Sequence, residues 1–168
     1  MRSDPFFFAK INEQRVLLAT TRREANMKLV KHLLDSKGHD VLSIEPTASV
    51  LDAIKLMAEK GIGALIVMDG GALAGIVTER DYARKVILKG RSSQETPVKD
   101  IMTSGVMTTG IDQTVDSCMN MMTDKRIRHL PVVDGDTVTG MVSIGDLVKA
   151  IIADQKEEIE QLEHYISG

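Results

Sequence analysis

A hydroxyl residue followed three positions later by an aspartate occurs twice in this chain, and the pair suits the chemistry of a sugar phosphate. The two copies are Gly75-Ile76-Val77-Thr78-Glu79-Arg80-Asp81 and Gly140-Met141-Val142-Ser143-Ile144-Gly145-Asp146. A carboxylate accepts hydrogen bonds from both hydroxyls of a ribose, and a neighbouring Thr or Ser donates one to phosphate. The same spacing also forms a helix cap, in which the carboxylate reaches back. One copy would favour the cap, whereas two copies at the junction of two units favour a ligand site.

A basic cluster is the second feature with chemical potential. In the segment 125–132, Arg126, Arg128 and His129 precede an apolar strand, whereas the counterpart segment 60–67 has Gly, Gly and Ala at those positions. A solvated basic turn would explain the cluster. In a chain of net charge −3, however, arginines at the entrance to a buried strand better suit an anionic ligand. The small residues of the counterpart leave room for a flat base.

Both features belong to a longer repeat. A shift of 65 residues, the spacing from Asp81 to Asp146, aligns residues 41–87 with residues 106–152 without a gap. An ungapped duplication indicates one structural unit used twice. Each unit is too short to bury a sufficient core alone, so we expect the two to fold against each other as one body.

Hydrophobic periodicity predicts strand-helix-strand-strand-helix in each unit, preceded by a helix over 27–36. The predicted elements are strand 41–44, helix 50–60, strands 64–68 and 73–78 and a helix from 79 to about 89, then strand 106–109, helix 114–125, strands 130–133 and 138–142 and a helix from 143. The predicted fold class is therefore α/β (α+β), with two βαββα units packed as a pseudo-symmetric pair and their helices outside.

The expected organisation has four parts. Residues 1–26 form an N-terminal extension, 27–90 the first repeat, 91–153 the second repeat and 154–168 a C-terminal amphipathic helical tail. An apolar stripe continues through the charged tail, and a solitary helix with such a stripe needs a surface to cover. That surface is either the chain's own body or a second copy of the chain.

Composition and motif searches exclude several classes of function. The negative net charge argues against nucleic acid or an anionic membrane as a partner, and no apolar run approaches the ~20 residues of a membrane span. Cys118, the only cysteine, lies in an apolar helical pattern and is expected to be a buried, inert thiol. The histidines lack metal-ligand spacing, and no nucleophile elbow, Walker loop or Rossmann fingerprint is present. We therefore expect a cytoplasmic protein that is not an enzyme and uses no catalytic cofactor.

The repeat, the two Gly-h-Val-[Thr/Ser]-x-x-Asp junctions and the run Ile-Arg-His-Leu-Pro-Val-Val-Asp at 127–134 together resemble a tandem pair of cystathionine-beta-synthase (CBS) domains of the stand-alone kind. The resemblance covers residues 27–152 and continues into the tail, while residues 1–26 have no counterpart. It implies βαββα units that face each other across two clefts and dimerise into a flat disc. The ligands it implies are AMP, ADP and ATP, and for some members NAD(H) or S-adenosylmethionine.

The resemblance also implies a role for individual residues of the two clefts. These are Asp81 and Asp146 for the ribose hydroxyls, Thr78 and Ser143 for ribose or phosphate, Arg128, His129 and Arg126 for phosphate, and Ile62, Ala64, Ile127 and the strand starts at Val41 and Met107 for the walls around adenine. Because the first unit has Gly63-Ala64 where the second has Arg128-His129, the two clefts need not bind the same ligand.

The predicted function is a regulatory module that senses energy or redox state. It would bind AMP or a related adenosine phosphate and bias the shape of a homodimer or the activity of a regulated partner protein. Phosphorylated ligands are favoured over S-adenosylmethionine because the arginines gain nothing from a sulfonium. The alternatives are an NAD(H) sensor and a constitutive dimerisation scaffold with vestigial clefts, with an enzyme acting on a nucleotide ranked below both.

Overall fold

The computed structural model describes Leu17 and residues 27–168. The predicted N-terminal extension lies, apart from Leu17, outside the described residues. The described elements are α1 Val30–Lys37, β1 Ser43–Ile44, α2 Val50–Lys60, β2 Ala64–Asp69, β3 Ala72–Thr78, α3 Glu79–Lys85, two 3-10 turns at Ile87–Lys89 and Val98–Asp100, β4 Thr109–Gly110, α4 Val115–Lys125, β5 His129–Asp134, β6 Thr137–Ser143 and α5 Ile144–Ser167. The mixed α/β fold predicted from the sequence is confirmed, including the C-terminal helix.

Two three-stranded sheets with the same topology form the centre of the molecule. In each sheet the middle strand pairs in parallel with the short strand before it and antiparallel with the strand after it. The register is equivalent in both repeats, since Ala64 pairs with Thr78 and His129 pairs with Ser143. The hydroxyl residue of each motif therefore lies beside the first residue of its central strand, which in the second repeat is His129, the last residue of the basic cluster.

Several predicted elements are shorter in the structure than in the sequence-based prediction, among them the helix predicted over 27–36, which begins at Val30. The strands predicted over 41–44 and 106–109 are limited to Ser43–Ile44 and Thr109–Gly110, because only two residues of each pair with the central strand. The helix predicted to reach residue 89 ends at Lys85. Val86, with φ −114° and ψ −67°, is the fully buried residue that ends this helix, and a 3-10 turn follows in place of the last helical turn.

The segments before the two repeats cross over, so that each packs on the other half of the sequence. Val30 and Leu34 of α1 are fully buried in the core of the second repeat, and Val98 is buried in the core of the first. Equivalent backbone bonds hold both segments, since the Val115 amide donates to the carbonyl of residue 28 and the Val50 amide to that of residue 96. The predicted bounds 27–90 and 91–153 describe the repeats in the sequence. Each hydrophobic core, however, includes residues from both of these ranges.

The glycine of each repeated motif is required by its crossing segment. A Cβ at Gly75 would lie 2.7 Å from the Thr103 carbonyl oxygen and 2.8 Å from Met102 Sδ. A Cβ at Gly140 would lie 2.8 Å from Leu34 Cδ2. A side chain at either position would require a neighbour to shift, so both glycines allow the crossing segments to pack closely.

Cys118 packs in the second core as predicted. Its side chain is buried, its Sγ lies 3.2 Å from Thr109 Oγ1, and burial raises the pKa of the thiol despite that hydrogen bond. A thiol that stays protonated and inaccessible is a poor nucleophile, because the thiolate is the reactive form.

Candidate functional site

A cavity of about 480 Å³ lies between the two repeats and brings together most of the residues singled out in the sequence. Of the twelve candidates, seven line this cavity: Thr78, Asp81, Met107, Arg126, Ile127, Arg128 and His129. The other five do not line it: Val41, Ile62, Ala64, Ser143 and Asp146. The acidic motif of the first repeat thus faces the basic cluster of the second, whereas the acidic motif of the second repeat is placed elsewhere.

The first motif combines a helix cap with a cavity-lining carboxylate. The Thr78 amide and hydroxyl both donate to Asp81 Oδ2, at 3.0 and 2.9 Å, and the Asp81 amide donates to Thr78 Oγ1 at 3.1 Å. Lys85 Nζ lies 2.9 Å from Asp81 Oδ1. The cap and the ligand site are therefore compatible, because the bonds of the cap hold the carboxylate in one orientation at the cavity wall.

Arg126 reaches the cavity from a strained backbone position. Its φ of 54° makes it the one non-glycine residue with positive φ in the part of the chain that the structure describes. The equivalent residue of the first repeat, Gly61, has φ 64° and ends α2 in the same way. A side chain in the left-handed region costs roughly 1–2 kcal/mol. The chain therefore bears local strain to place a guanidinium where the other repeat has none.

His129 lies between the repeats and is neutral near pH 7. Burial lowers its pKa, and the charges of Lys37 and Arg128 lower it further against the opposing effect of Asp146. A Cβ added at Gly63 would lie 3.9 Å from His129 Cε1, so the ring lies close to the first repeat. At neutral pH the imidazole offers a hydrogen bond to a ligand, and the positive charge comes from the arginines.

The second motif is engaged by a lysine from the crossing segment. Asp146 Oδ2 accepts from the Ser143 amide at 2.8 Å and from Lys37 Nζ at 2.6 Å, and Lys37 also donates to the Met141 carbonyl at 2.8 Å. Burial would raise the pKa of Asp146, but the hydrogen bonds from Lys37 and Ser143 outweigh it and lower that pKa. The carboxylate thus already has a cationic partner. The crossing segments can be aligned on residues 28 and 96, which make the equivalent backbone bonds. In this alignment Lys37 corresponds to Gly105, which lines the cavity.

Sequence reasoning missed several residues of the cavity wall. Glu79 and Arg80 lie inside the first motif and line the cavity, so the motif itself could have indicated them. The connector residues Thr103, Gly105 and Val106 also line it and carried no signal in the sequence beyond their place before a strand. With Arg126 and Arg128, the wall holds three guanidinium groups and two carboxylates, an arrangement suited to a ligand with an anionic end and a hydroxyl-rich part.

Comparison with known proteins identifies the family. A family model described as the CBS domain matches residues 30–87 and 98–153. The chain belongs to the CBS domain family. A CBS-domain protein of Burkholderia ambifaria has a solved structure that is 53% identical, with a TM-score of 0.74, and the match covers 76% of this chain and 96% of that one. Relatives of this kind are stand-alone CBS pairs, which are regulatory modules.

Two further relatives bear on ligand and location. The mitochondrial CBS domain-containing protein CBSX3 of Arabidopsis thaliana is 48% identical over 125 residues, which are 71% of this chain and 61% of that protein. The chain thus spans about three fifths of that relative's length. The CBS domain pair of the protein MJ0100, 28% identical with a TM-score of 0.68 over 76% of this chain and 98% of that one, was solved with 5'-methylthioadenosine and S-adenosyl-L-methionine.

The described residues contain neither a membrane-spanning helix nor a cluster of metal-binding side chains. No helix among them is long and apolar enough to cross a bilayer. No cluster of three or more His, Cys, Asp or Glu side chains in the same part of the chain could hold a metal ion. The cytoplasmic location expected from the sequence stays a prediction, since the Arabidopsis relative is mitochondrial.

Proposed function

We propose that this chain is a regulatory module that binds an adenine nucleotide, AMP or a related adenosine phosphate, in the cavity between its repeats. One observation carries the proposal: Asp81 of the first repeat and the basic segment 126–129 of the second line the same cavity, although they are 45 residues apart in sequence. The carboxylate suits the ribose hydroxyls, and the guanidinium groups suit the phosphate.

The apolar part of the wall suits the base. Ile76, Val106, Met107 and Ile127 line the cavity together with the charged groups. Ligand pockets typically measure ~300–1,000 Å³ and combine apolar walls with a few placed polar groups, so the cavity has the size and composition for a mononucleotide. The ligands of the MJ0100 pair support adenosine as the common part of the ligand.

Three arginines favour a phosphate over the sulfonium of S-adenosylmethionine. Arg80, Arg126 and Arg128 line the cavity, and only two carboxylates offset them. A cationic ligand would be repelled by this excess, whereas a phosphate accepts charge-assisted hydrogen bonds from guanidinium groups. NAD(H) shares the adenosine phosphate and is the second candidate ligand.

The proposed role is regulation, and the bound nucleotide is its signal. A ligand that bridges the two repeats stabilises one relative arrangement of them and so shifts the population of conformers. A homodimer or a separate regulated protein would detect that shift. Turnover of ATP or NADH by the purified protein would contradict this role and favour the enzyme hypothesis.

Calorimetric titration with AMP, ATP, NADH and S-adenosylmethionine tests the ligand class, with adenosine as the matched ligand that lacks phosphate. We expect AMP to bind at least tenfold more tightly than adenosine. Asp81→Asn should weaken AMP binding, while Asp136→Asn, an exposed turn residue, should leave it unchanged. Absence of binding by every adenine nucleotide would refute the proposal and leave the dimerisation scaffold.

A further inference from the structure

An apolar stripe runs along one face of α5 from the body of the molecule to the end of the chain. Its positions are spaced by 4, 3, 4, 3 and 4 residues: Val148, Ile152, Gln155, Ile159, Leu162 and Ile166. This is a heptad seam with isoleucine at all three a positions, and with valine, glutamine and leucine at the d positions. Such a seam is the sequence pattern of a two-stranded coiled coil.

The seam does not face the protein's own core. Leu147 and Ala150 anchor the first part of α5 and are buried, while Val148 and Ile152 of the seam are exposed beside them. At 100° per residue, Leu147 and Ala150 lie roughly 130° from the centre of the seam around the helix. The seam therefore remains open even where α5 touches the body.

Beyond residue 154 the helix leaves the body altogether. Lys28 Nζ pairs with Asp154 at 2.9 Å, and residues 155–168 are all exposed. Ile159, Leu162 and Ile166 are 54%, 57% and 83% exposed. An isolated helix of this length is marginal in water, and most of its stability comes from burial of an apolar face. The seam thus requires a partner, and the family match ends at residue 153, before most of it.

We propose that the seam of α5 pairs antiparallel with the same seam of a second copy of this chain. With Val148 opposite the partner's Ile166, all six seam positions of one helix meet those of the other. This register also places Lys149 beside the partner's Glu163, twice by symmetry. The parallel arrangement would instead align Glu158 with the partner's Glu163.

Charge along the tail supports the antiparallel direction. Residues 154–168 carry five acidic residues and one lysine, so parallel tails would repel each other over their whole length. Like charges at flanking positions of a coiled coil disfavour that pairing. The antiparallel arrangement places Glu158 and Lys156 beside their own copies near the twofold axis, and the two Lys149–Glu163 contacts offset these like-charge contacts, an offset that the parallel arrangement lacks. This inference is independent of nucleotide binding.

Disulfide cross-linking of the full chain tests both the partner and the direction. Glu158→Cys lies next to the twofold axis of the antiparallel pair and should cross-link to its own copy on mild oxidation. Ile166→Cys should not, because its two copies would be roughly 27 Å apart along the axis. Glu160→Cys, on the outward face, is the matched control, and native Cys118 is buried. A cross-link at Ile166→Cys without one at Glu158→Cys would overturn the proposal.

Sedimentation velocity gives a second, independent measurement. The double variant Ile159→Asp, Leu162→Asp should raise the dimer dissociation constant at least tenfold, whereas Leu88→Asp, at an exposed position in the 3-10 turn Ile87–Lys89, should not change it. Lys149→Glu should weaken the dimer, and addition of Glu163→Lys should restore it. An unchanged dimer in the double seam variant, or a monomeric wild type whose tail becomes exposed only after removal of residues 1–26, would refute pairing between copies.

Discussion

Lys37 and Asp146 are joined across the crossover by an ion pair, with Nζ 2.6 Å from Oδ2. The equivalent aspartate of the first repeat, Asp81, pairs at 2.9 Å with Lys85 of its own helix. Lys85 Nζ also donates to the Ile101 carbonyl, at 2.8 Å. Lys37 also holds the Met141 carbonyl, and therefore ties the end of α1 to the second motif.

Only Asp81 lines the cavity, whereas Asp146 is held by a lysine of the crossing segment, so we expect unequal affinity at the two motifs. A ligand at Asp146 must displace Lys37, and an ion pair at this degree of exposure is worth about 1 kcal/mol, or about fivefold in affinity. We expect wild-type protein to bind one equivalent of nucleotide tightly, and Lys37→Met to strengthen a second, weaker site by about that factor. Titration calorimetry measures both sites. Lys31→Met, at an exposed pair with Asp112, is the control, and an unchanged second site in Lys37→Met would contradict the prediction.

Replacement of Arg126 by glycine should separate stability from binding. Arg126→Gly relieves the left-handed backbone and should raise the free energy of unfolding by about 0.5–1 kcal/mol, after the entropy of the added glycine is subtracted. The same variant should bind AMP more weakly, because a guanidinium is lost. Urea denaturation and calorimetry measure the two effects. Gly61→Ala is the converse control and should lower the free energy of unfolding, because its φ is 64°. Since no atom lies within 4 Å of the added Cβ, the loss would report backbone strain alone.

The two motif glycines should differ in their tolerance of alanine. At Gly75 the added methyl group meets the Thr103 backbone, which cannot move alone, whereas at Gly140 it meets the end of the Leu34 side chain. We expect Gly75→Ala to cost about 1–3 kcal/mol and Gly140→Ala less. Gly110→Ala, with its nearest neighbour at 3.9 Å, is the control in thermal or urea unfolding. Equal losses at Gly75 and Gly140 would show that the crossing segment adapts equally at both sites.

Stability should fall with acid through His129. Its pKa is lowered in the folded state, so between that value and the ordinary value near 6.5 the unfolded chain binds more protons than the folded one. The contribution of neutral His129 to the free energy of unfolding is complete above pH ~6.5 and is lost as the pH falls through the pKa of the folded state. His129→Gln should flatten the dependence of the unfolding free energy on pH below ~6.5, and the exposed His39→Gln should not. A slope unchanged in His129→Gln would assign the effect to other groups.

The sequence was sufficient for those features that depend on local pattern or on the repeat. The apolar run before Asp69 could be predicted as a buried strand, because a short continuous apolar segment is typical of a strand that is covered on both faces. The repeat also placed Thr78 and Ser143 at equivalent strand ends, and Ala64 and His129 at equivalent strand starts.

The crossover could not be predicted in this way. Nothing in the helical period of α1 distinguishes the core of the first repeat from that of the second, because Val30 and Leu34 suit either one. The partner of Asp146 could not be predicted for the same reason, since Lys37 and Asp146 are 109 residues apart. Periodicity shows which face of a helix is buried, and the identity of the surface opposite depends on the long-range path of the chain.

The crossing segments also bear on how a signal leaves the cavity. Thr103 pairs with β3 through two backbone bonds and lines the cavity, and it follows directly on the turn at Val98–Asp100 in the first core. Residues 98–103 thus connect the core of the first repeat directly to the cavity wall. A displacement of Thr103 at that wall would therefore be passed to β3 and to the core of the first repeat.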